Sequence, residues 1–152
     1  LSRTTQGELL ARKQATQEKI ADSFIELLQF KLQVLHAAWV VDQKGGHAAR
    51  KEIAAVKVAT PKVYREAVLR TIQLHGALGV SNEMPLANML MASVTMGIAD
   101  GPTEVHKFTV AREVLKDYSP AEGDWPSEHL PERRAAARAE FADLLERSVS
   151  DY

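Results

Sequence analysis

No cysteine occurs among the 152 residues, which excludes disulfides and any thiolate metal or redox site. A secreted disulfide scaffold is thereby disfavoured. The expected setting is a reducing one, a bacterial cytoplasm or, in a eukaryote, an organelle matrix. Aromatic residues are sparse, at 6%. No signal peptide and no run of 18 apolar residues is visible, so no membrane span is expected. Charge of one sign is lacking too: 19 Lys and Arg face 20 Asp and Glu, which gives no global electrostatic reason to expect nucleic acid as a partner. The five histidines, His36, His47, His75, His106 and His129, show no HExxH or paired-ligand spacing, so no metal is expected.

What is present is apolar residue in quantity, 45% of the chain, in a length that suits one domain with a real core. The chain opens on Leu1 rather than Met, as expected of a processed or excised piece of something longer. Glycine and proline fall mainly between long periodic stretches and divide the sequence into five helices. Across about residues 7 to 42, Ile20, Phe24, Leu28, Leu32, Leu35 and Trp39 recur at helical spacing, the stripe of an amphipathic helix. A second stripe, across about residues 47 to 75, runs through Ile53, Val56, Val63, Ala67, Thr71 and His75. Pro61 falls inside it and predicts a kink or break at about Ala59 to Thr60. A third helix, about residues 85 to 99, holds no Asp, Glu, Lys or Arg between Leu86 and Ala99 and is expected at the centre, buried nearly all round. A fourth starts at Gly101 and Pro102 with Val105, Phe108, Ala111 and Leu115 on one face.

After Ser119, Pro120, Gly123, Pro126 and Pro131 mark a linker. A fifth helix from Pro131 to about Val149 carries only Phe141, Leu144, Leu145 and Val149 as large apolar residues and should lie on a surface. The tail from Pro120 holds eight acidic and four basic residues, a net charge of −4. No segment alternates over four or more residues, so no strand is expected. These elements predict an all-α fold: an up-and-down four-helix bundle over residues 1–118 with Phe24 and Trp39 in its core, a linker over 119–130, and an accessory surface helix and tail over 131–152.

Three segments admit chemistry beside a plainer role. In residues 98–104, Asp100 precedes Gly101, Pro102, Thr103 and Glu104. An acid and a proline at a helix start form a capping device. Equally, a carboxylate at the end of an apolar helix, beside a glycine that admits a ligand, is a candidate general base. Residues 73–80 hold Gly76 and Gly79 and read either as a helix C-cap and turn or as a close approach of small residues and amides to a flat or phosphorylated ligand. Residues 3–7 are either a frayed end or a phosphate clamp, Arg3 being the side chain suited to bidentate phosphate contacts.

In this order the segments resemble the C-terminal helical domain of the acyl-CoA dehydrogenase family. The likeness spans about residues 1 to 118. The family's Arg-x-x-Phe-Gly followed by Gln is similar to Arg3 through Gly7 with Gln14, and its Ala-Ala-Trp to Ala37-Ala38-Trp39. Its Gln-x-x-Gly-Gly-x-Gly is similar to Gln73 through Gly79, and its Glu-Gly-Thr-Ser-Glu to Asp100 through Glu104. Departures are Gln6 for the aromatic, Ala77 for the second glycine, Pro102 for a threonine, and Asp100 for the common Glu, one methylene shorter. The Ala-Asp-Gly-Pro form and Pro61 resemble a subgroup that includes multidomain members.

The resemblance implies removal of the α-proton of an acyl-CoA thioester by a carboxylate while the β-hydride passes to FAD. Asp100 would be the base, although some members carry it upstream on the first helix of this domain. Arg3, Thr4, Thr5, Lys13 and Gln14 would meet the FAD pyrophosphate and adenosine across a subunit interface. Gln73, Leu74, His75, Gly76 and Ala77 would line the adenine side. Pro102, Thr103 and Glu104 would lie along the flavin, and Gly101 at the thioester. It also implies self-association as a dimer or tetramer and admits an electron-transfer flavoprotein as partner. Family members are much longer, so the remaining domains, or a partner chain, are expected to complete the site, and the chain alone should be inactive. The alternative is a non-catalytic helical scaffold that keeps the fold.

Overall fold

The computed structural model describes residues 3–120, 123–144 and 146. Its chain divides into two compact units, Leu1–Asp117 and Tyr118–Tyr152. The first opens with a hairpin of strands β1 (Thr4–Thr5) and β2 (Glu8–Leu9) and a 3-10 turn (Leu10–Arg12), followed by helices α1 (Gln14–Lys44) and α2 (Arg50–His75). A second 3-10 turn (Gly76–Val80) leads to α3 (Leu86–Met96) and α4 (Thr103–Leu115).

The hairpin corrects the expectation of a strand-free chain and of a first helix beginning near residue 7. Its strands pair Thr4 with Leu9 and Thr5 with Glu8, two residues each, too short for alternation to register. The turn between them has Gln6 at φ 53° and Gly7 at φ 79°, the double positive φ of a tight two-residue hairpin loop.

Helix α2, not α3, lies at the centre, packed against α1, α3 and α4. It is also the more charged helix. Arg70 donates to both carboxylate oxygens of Glu26 on α1 at 2.7 and 2.8 Å. The Lys57 ammonium donates to the Met96 carbonyl at the end of α3 at 2.7 Å, and Arg50 pairs with Glu113 of α4. Each neighbour is thus tied to α2 by a charged side chain. The helix also runs unbroken through Pro61. The lost backbone donor is tolerated because packing on three sides holds the flanking turns in place.

The apolar stripes of α1 and α4 point away from this packing. On α1, Thr16, Ala37 and Val40 are buried, and Lys19, Ser23, Glu26, Phe30 and Gln33 are half-buried between them. Their spacing alternates three and four, a continuous face of mostly small and polar residues. Phe24, Leu28, Leu32, Leu35 and Trp39 are exposed, Phe24 by 67%, which corrects the placement of Phe24 and Trp39 in the core. On α4 the half-buried positions are Thr103, His106, Thr109, Val110 and Glu113, while Val105, Phe108, Ala111 and Leu115 are exposed. On α3 only Leu86 and Ser93 are buried, and Met91, Val94 and Met96 are exposed, so it is not wrapped on all sides. An 18-residue stretch of α1 is apolar enough to cross a membrane by composition and length alone. The Glu26–Arg70 pair within its span binds it to α2 instead, a pair that hydrocarbon would make costly.

In the second unit, helix α5 (Leu130–Glu140) begins with Pro131 in its first turn, where a missing donor costs nothing. It is exposed throughout. Phe141 interrupts it with a turn, and residues 142–144 and 146 are helical again. Leu145 and Val149 lie outside the described residues. Ahead of the helix, Trp125 and His129 stack with ring centroids 4.5 Å apart.

Candidate functional site

The N-terminal hairpin folds against the end of α2. Arg3, at its start, donates from Nη1 to the carbonyl of Leu74, 71 residues along the chain, while the Leu10 amide donates back to the Arg3 carbonyl at 2.8 Å. The guanidinium lies over Gly76, where a Cβ would stand 2.9 Å from Arg3 Nη2. Gly76 caps α2 with φ 63° and ψ −140°, a conformation open essentially to glycine alone. Gly79 serves differently. It is buried, and a Cβ there would meet the Ile72 carbonyl at 2.8 Å, so its lack of a side chain lets the turn fold back on α2. Of the two readings of residues 73–80, the C-cap and turn is what the geometry shows, with the Arg3 side chain lying beside that turn.

A cleft of about 660 Å³ opens there, walled by Arg3, Leu10, Ala11, Thr16, Ile20, Leu74, His75, Ala77 and Leu78. Its floor is apolar and its cation sits at one side. His75 is held by its Nδ1, 2.8 Å from the Thr71 carbonyl. Of the residues singled out from sequence, Arg3, Leu74, His75 and Ala77 line this cleft, and Gly76 touches Arg3. Thr4 and Thr5 are occupied in the hairpin ladder. Lys13 stands at the N-cap of α1 and donates to Gln6 Oε1 at 3.1 Å. Gln14 donates to Glu18 at 3.1 Å, and Gln73 is exposed. These five stand around the cleft's elements without walling it. Leu10, Ala11, Thr16, Ile20 and Leu78 were not among the sequence candidates. Thr16 and Ile20 carry a signal for this, four residues apart on the first turns of the helix that follows Gln14.

Asp100, Gly101, Pro102, Thr103 and Glu104 form a separate feature between α3 and α4. Asp100 has φ 54° and Gly101 φ 103°. Apart from Gln6, Asp100 is the one non-glycine residue with positive φ among the described residues, and that conformation costs an aspartate about 1 kcal/mol. Capping does not explain it. No side chain caps α4, whose N-cap position is Pro102, so the capping reading of Asp100 is corrected. The turn is closed instead by Thr103, whose amide and hydroxyl both donate to the Gly97 carbonyl at 3.0 and 3.1 Å. The His106 Nε2 lies 3.2 Å from the Asp100 carbonyl. Asp100, Pro102 and Glu104 are exposed, Gly101 and Thr103 half-buried. Thr103 walls a smaller groove with Gly97, Lys62 and Lys107.

Residues 1–115 match the family described as acyl-CoA dehydrogenase, C-terminal domain, and the chain belongs to that family. It is 43% identical over 111 residues to acyl-CoA dehydrogenase family member 11 of Rattus norvegicus, covering 73% of this chain and 14% of that protein. It is 40% identical over 114 residues to the probable acyl-CoA dehydrogenase FadE2 of Mycobacterium tuberculosis, covering 75% and 28%. Among solved structures, a putative acyl-CoA dehydrogenase from Mycobacterium abscessus superposes with a TM-score of 0.75 at 39% identity over 78% of this chain and 29% of that one. An FAD complex of PigA shares the fold, with a TM-score of 0.69 at 24% identity over 77% of this chain and 30% of that one. The chain thus spans less than a third of each of these proteins.

Proposed function

We propose that this chain is the C-terminal part of a flavin-dependent acyl-CoA dehydrogenase. The observation that carries this reading is the junction of Arg3 with residues 74–76, in a chain that belongs to the family. The residues fit FAD: a guanidinium suits a pyrophosphate, and the space a side chain would fill at Gly76 is held by Arg3. Arg3, Leu74, His75, Gly76 and Ala77 would hold the pyrophosphate and adenosine, with Thr4, Thr5, Lys13, Gln14 and Gln73 at the periphery. Pro102, Thr103 and Glu104 would flank the flavin. When bound, FAD supplies the acceptor for a hydride.

Asp100 takes the α-proton of an acyl-CoA thioester bound beside Gly101. The β-hydrogen would pass as a hydride to bound FAD, and loss of the two hydrogens would give a trans-2-enoyl-CoA. A carboxylate suits the first step because its oxygens can accept the proton, and the exposed turn leaves Asp100 open to a substrate. Helices α1 and α4, whose apolar stripes face outward, support self-association as at least a dimer, and an electron-transfer flavoprotein fits as the partner that reoxidises the flavin.

The test is Asp100→Asn in the complete enzyme. Turnover should fall by about 100- to 10,000-fold with FAD content and acyl-CoA affinity unchanged, since the amide keeps the shape but cannot accept the proton. Full turnover in that variant would move the base elsewhere and favour the scaffold reading for this segment.

A further inference from the structure

We infer that His106 is a positioning residue for the Asp100 carboxylate, an inference that rests on the reading of Asp100 as the base. Two consecutive residues with positive φ, Asp100 and Gly101, make a turn that does not hold itself, and no helix cap secures it. Two contacts do. At the foot of the turn, Thr103 closes it onto the Gly97 carbonyl. At the top, the His106 imidazole reaches back from the first turn of α4, its Nε2 3.2 Å from the Asp100 carbonyl. A Cβ on Gly101 would stand 3.2 Å from the same nitrogen, so the ring lies against the Asp100–Gly101 peptide.

The carbonyl can only accept, so Nε2 carries the proton and donates. The hydrogen bond fixes the orientation of that peptide and, through it, the backbone from which the Asp100 side chain projects. His106 is half-buried while its neighbours Val105 and Lys107 are exposed; it is turned toward the loop rather than toward solvent. The bond runs to a group outside α4, so it contributes to the turn and not to the helix ladder. A base displaced by about 1 Å loses on the order of 100-fold in rate, and this contact guards against such displacement.

The experiment compares His106→Leu and His106→Gln in the complete enzyme, since the glutamine amide can place a donor near the position of Nε2. His106→Leu should lower kcat by about 10- to 100-fold with KM for the acyl-CoA and FAD content unchanged, and hydrogen exchange across residues 98–103 should rise. His106→Gln should restore most of both. Unchanged exchange and kcat in His106→Leu, or a glutamine variant no better than leucine, overturns the inference while leaving the base intact if Asp100→Asn is inactive. Faster exchange in His106→Leu beside a fully active Asp100→Asn overturns it by the other route, because the turn is then clamped but carries no base.

Discussion

Helix α2 and helix α1 are built on opposite plans. The central helix carries Arg50, Lys57 and Arg70, each of which ties down a different neighbour. The peripheral helix carries the larger apolar stripe and turns it outward, keeping Thr16, Ser23, Glu26, Gln33 and Ala37 on its buried and half-buried face. Helix α4 repeats the arrangement, with Thr103, His106, Thr109 and Glu113 inward and Phe108 and Leu115 outward. The difference teaches that the large apolar stripes of α1 and α4 are not what holds the helices of this domain together. Small and polar residues permit close approach within the bundle, and the outward stripes are the surface that the proposed self-association would cover. Contiguous exposed apolar area of this kind marks an interaction surface.

Leu32→Glu, in the middle of the outward stripe, separates the two faces most sharply. If the stripe is an association surface, a carboxylate buried there without a partner costs several kcal/mol per copy, and the complete enzyme should dissociate in sedimentation while its helical circular dichroism persists. Retained assembly would locate the interface elsewhere. The inward face answers to a different change. Ala37 is buried at 7% exposure, and Ala37→Leu adds three carbons where α1 meets α2, so thermal or denaturant unfolding should show a loss of about 1–3 kcal/mol. A neutral result would mean that α1 does not pack closely on α2.

This inversion also explains what the sequence could and could not disclose. That residues 14–44, 50–75, 86–96 and 103–115 are helical was legible, because the periodicity of Ile20 through Trp39 or Val105 through Leu115 is the same whichever way the stripe faces. Its direction was not. Burial was assigned to Phe24, Trp39 and α3 by their apolarity, whereas the inward run of Thr16, Lys19, Ser23, Glu26, Phe30, Gln33 and Ala37 is a face read by spacing and size, with one large apolar member. The hairpin went unseen because two-residue strands leave no alternation, although Gly7 marked its turn. The site divides in the same way. Gly76 and Asp100 were legible as special positions from their local sequence. The union of Arg3 with Leu74 joins segments 71 residues apart, and only the family resemblance brought them together.

The smallest effect concerns the charged tie between the two helices. Arg70 donates both of its terminal nitrogens to Glu26, and this hydrogen bonding, with the nearby positive charge of Arg70 and Lys62, holds the Glu26 carboxyl below the usual carboxylate range despite some opposing desolvation. A carboxyl with a lowered pKa in the folded state stabilises the fold at pH values above its unfolded value of about 4.3 and loses that contribution as pH falls through its folded value, where the proton that folding excluded is bound again. Glu26 is 36% exposed and Arg70 16%, so solvent screening limits the contribution to about 1 kcal/mol or less. Unfolding followed from pH 7 down to about pH 3 should therefore show a gentler decline in Glu26→Gln than in the parent, the two curves converging in acid. Curves that stay parallel throughout would mean that the pair does not couple α1 to α2, and that packing of the small inward face alone joins them.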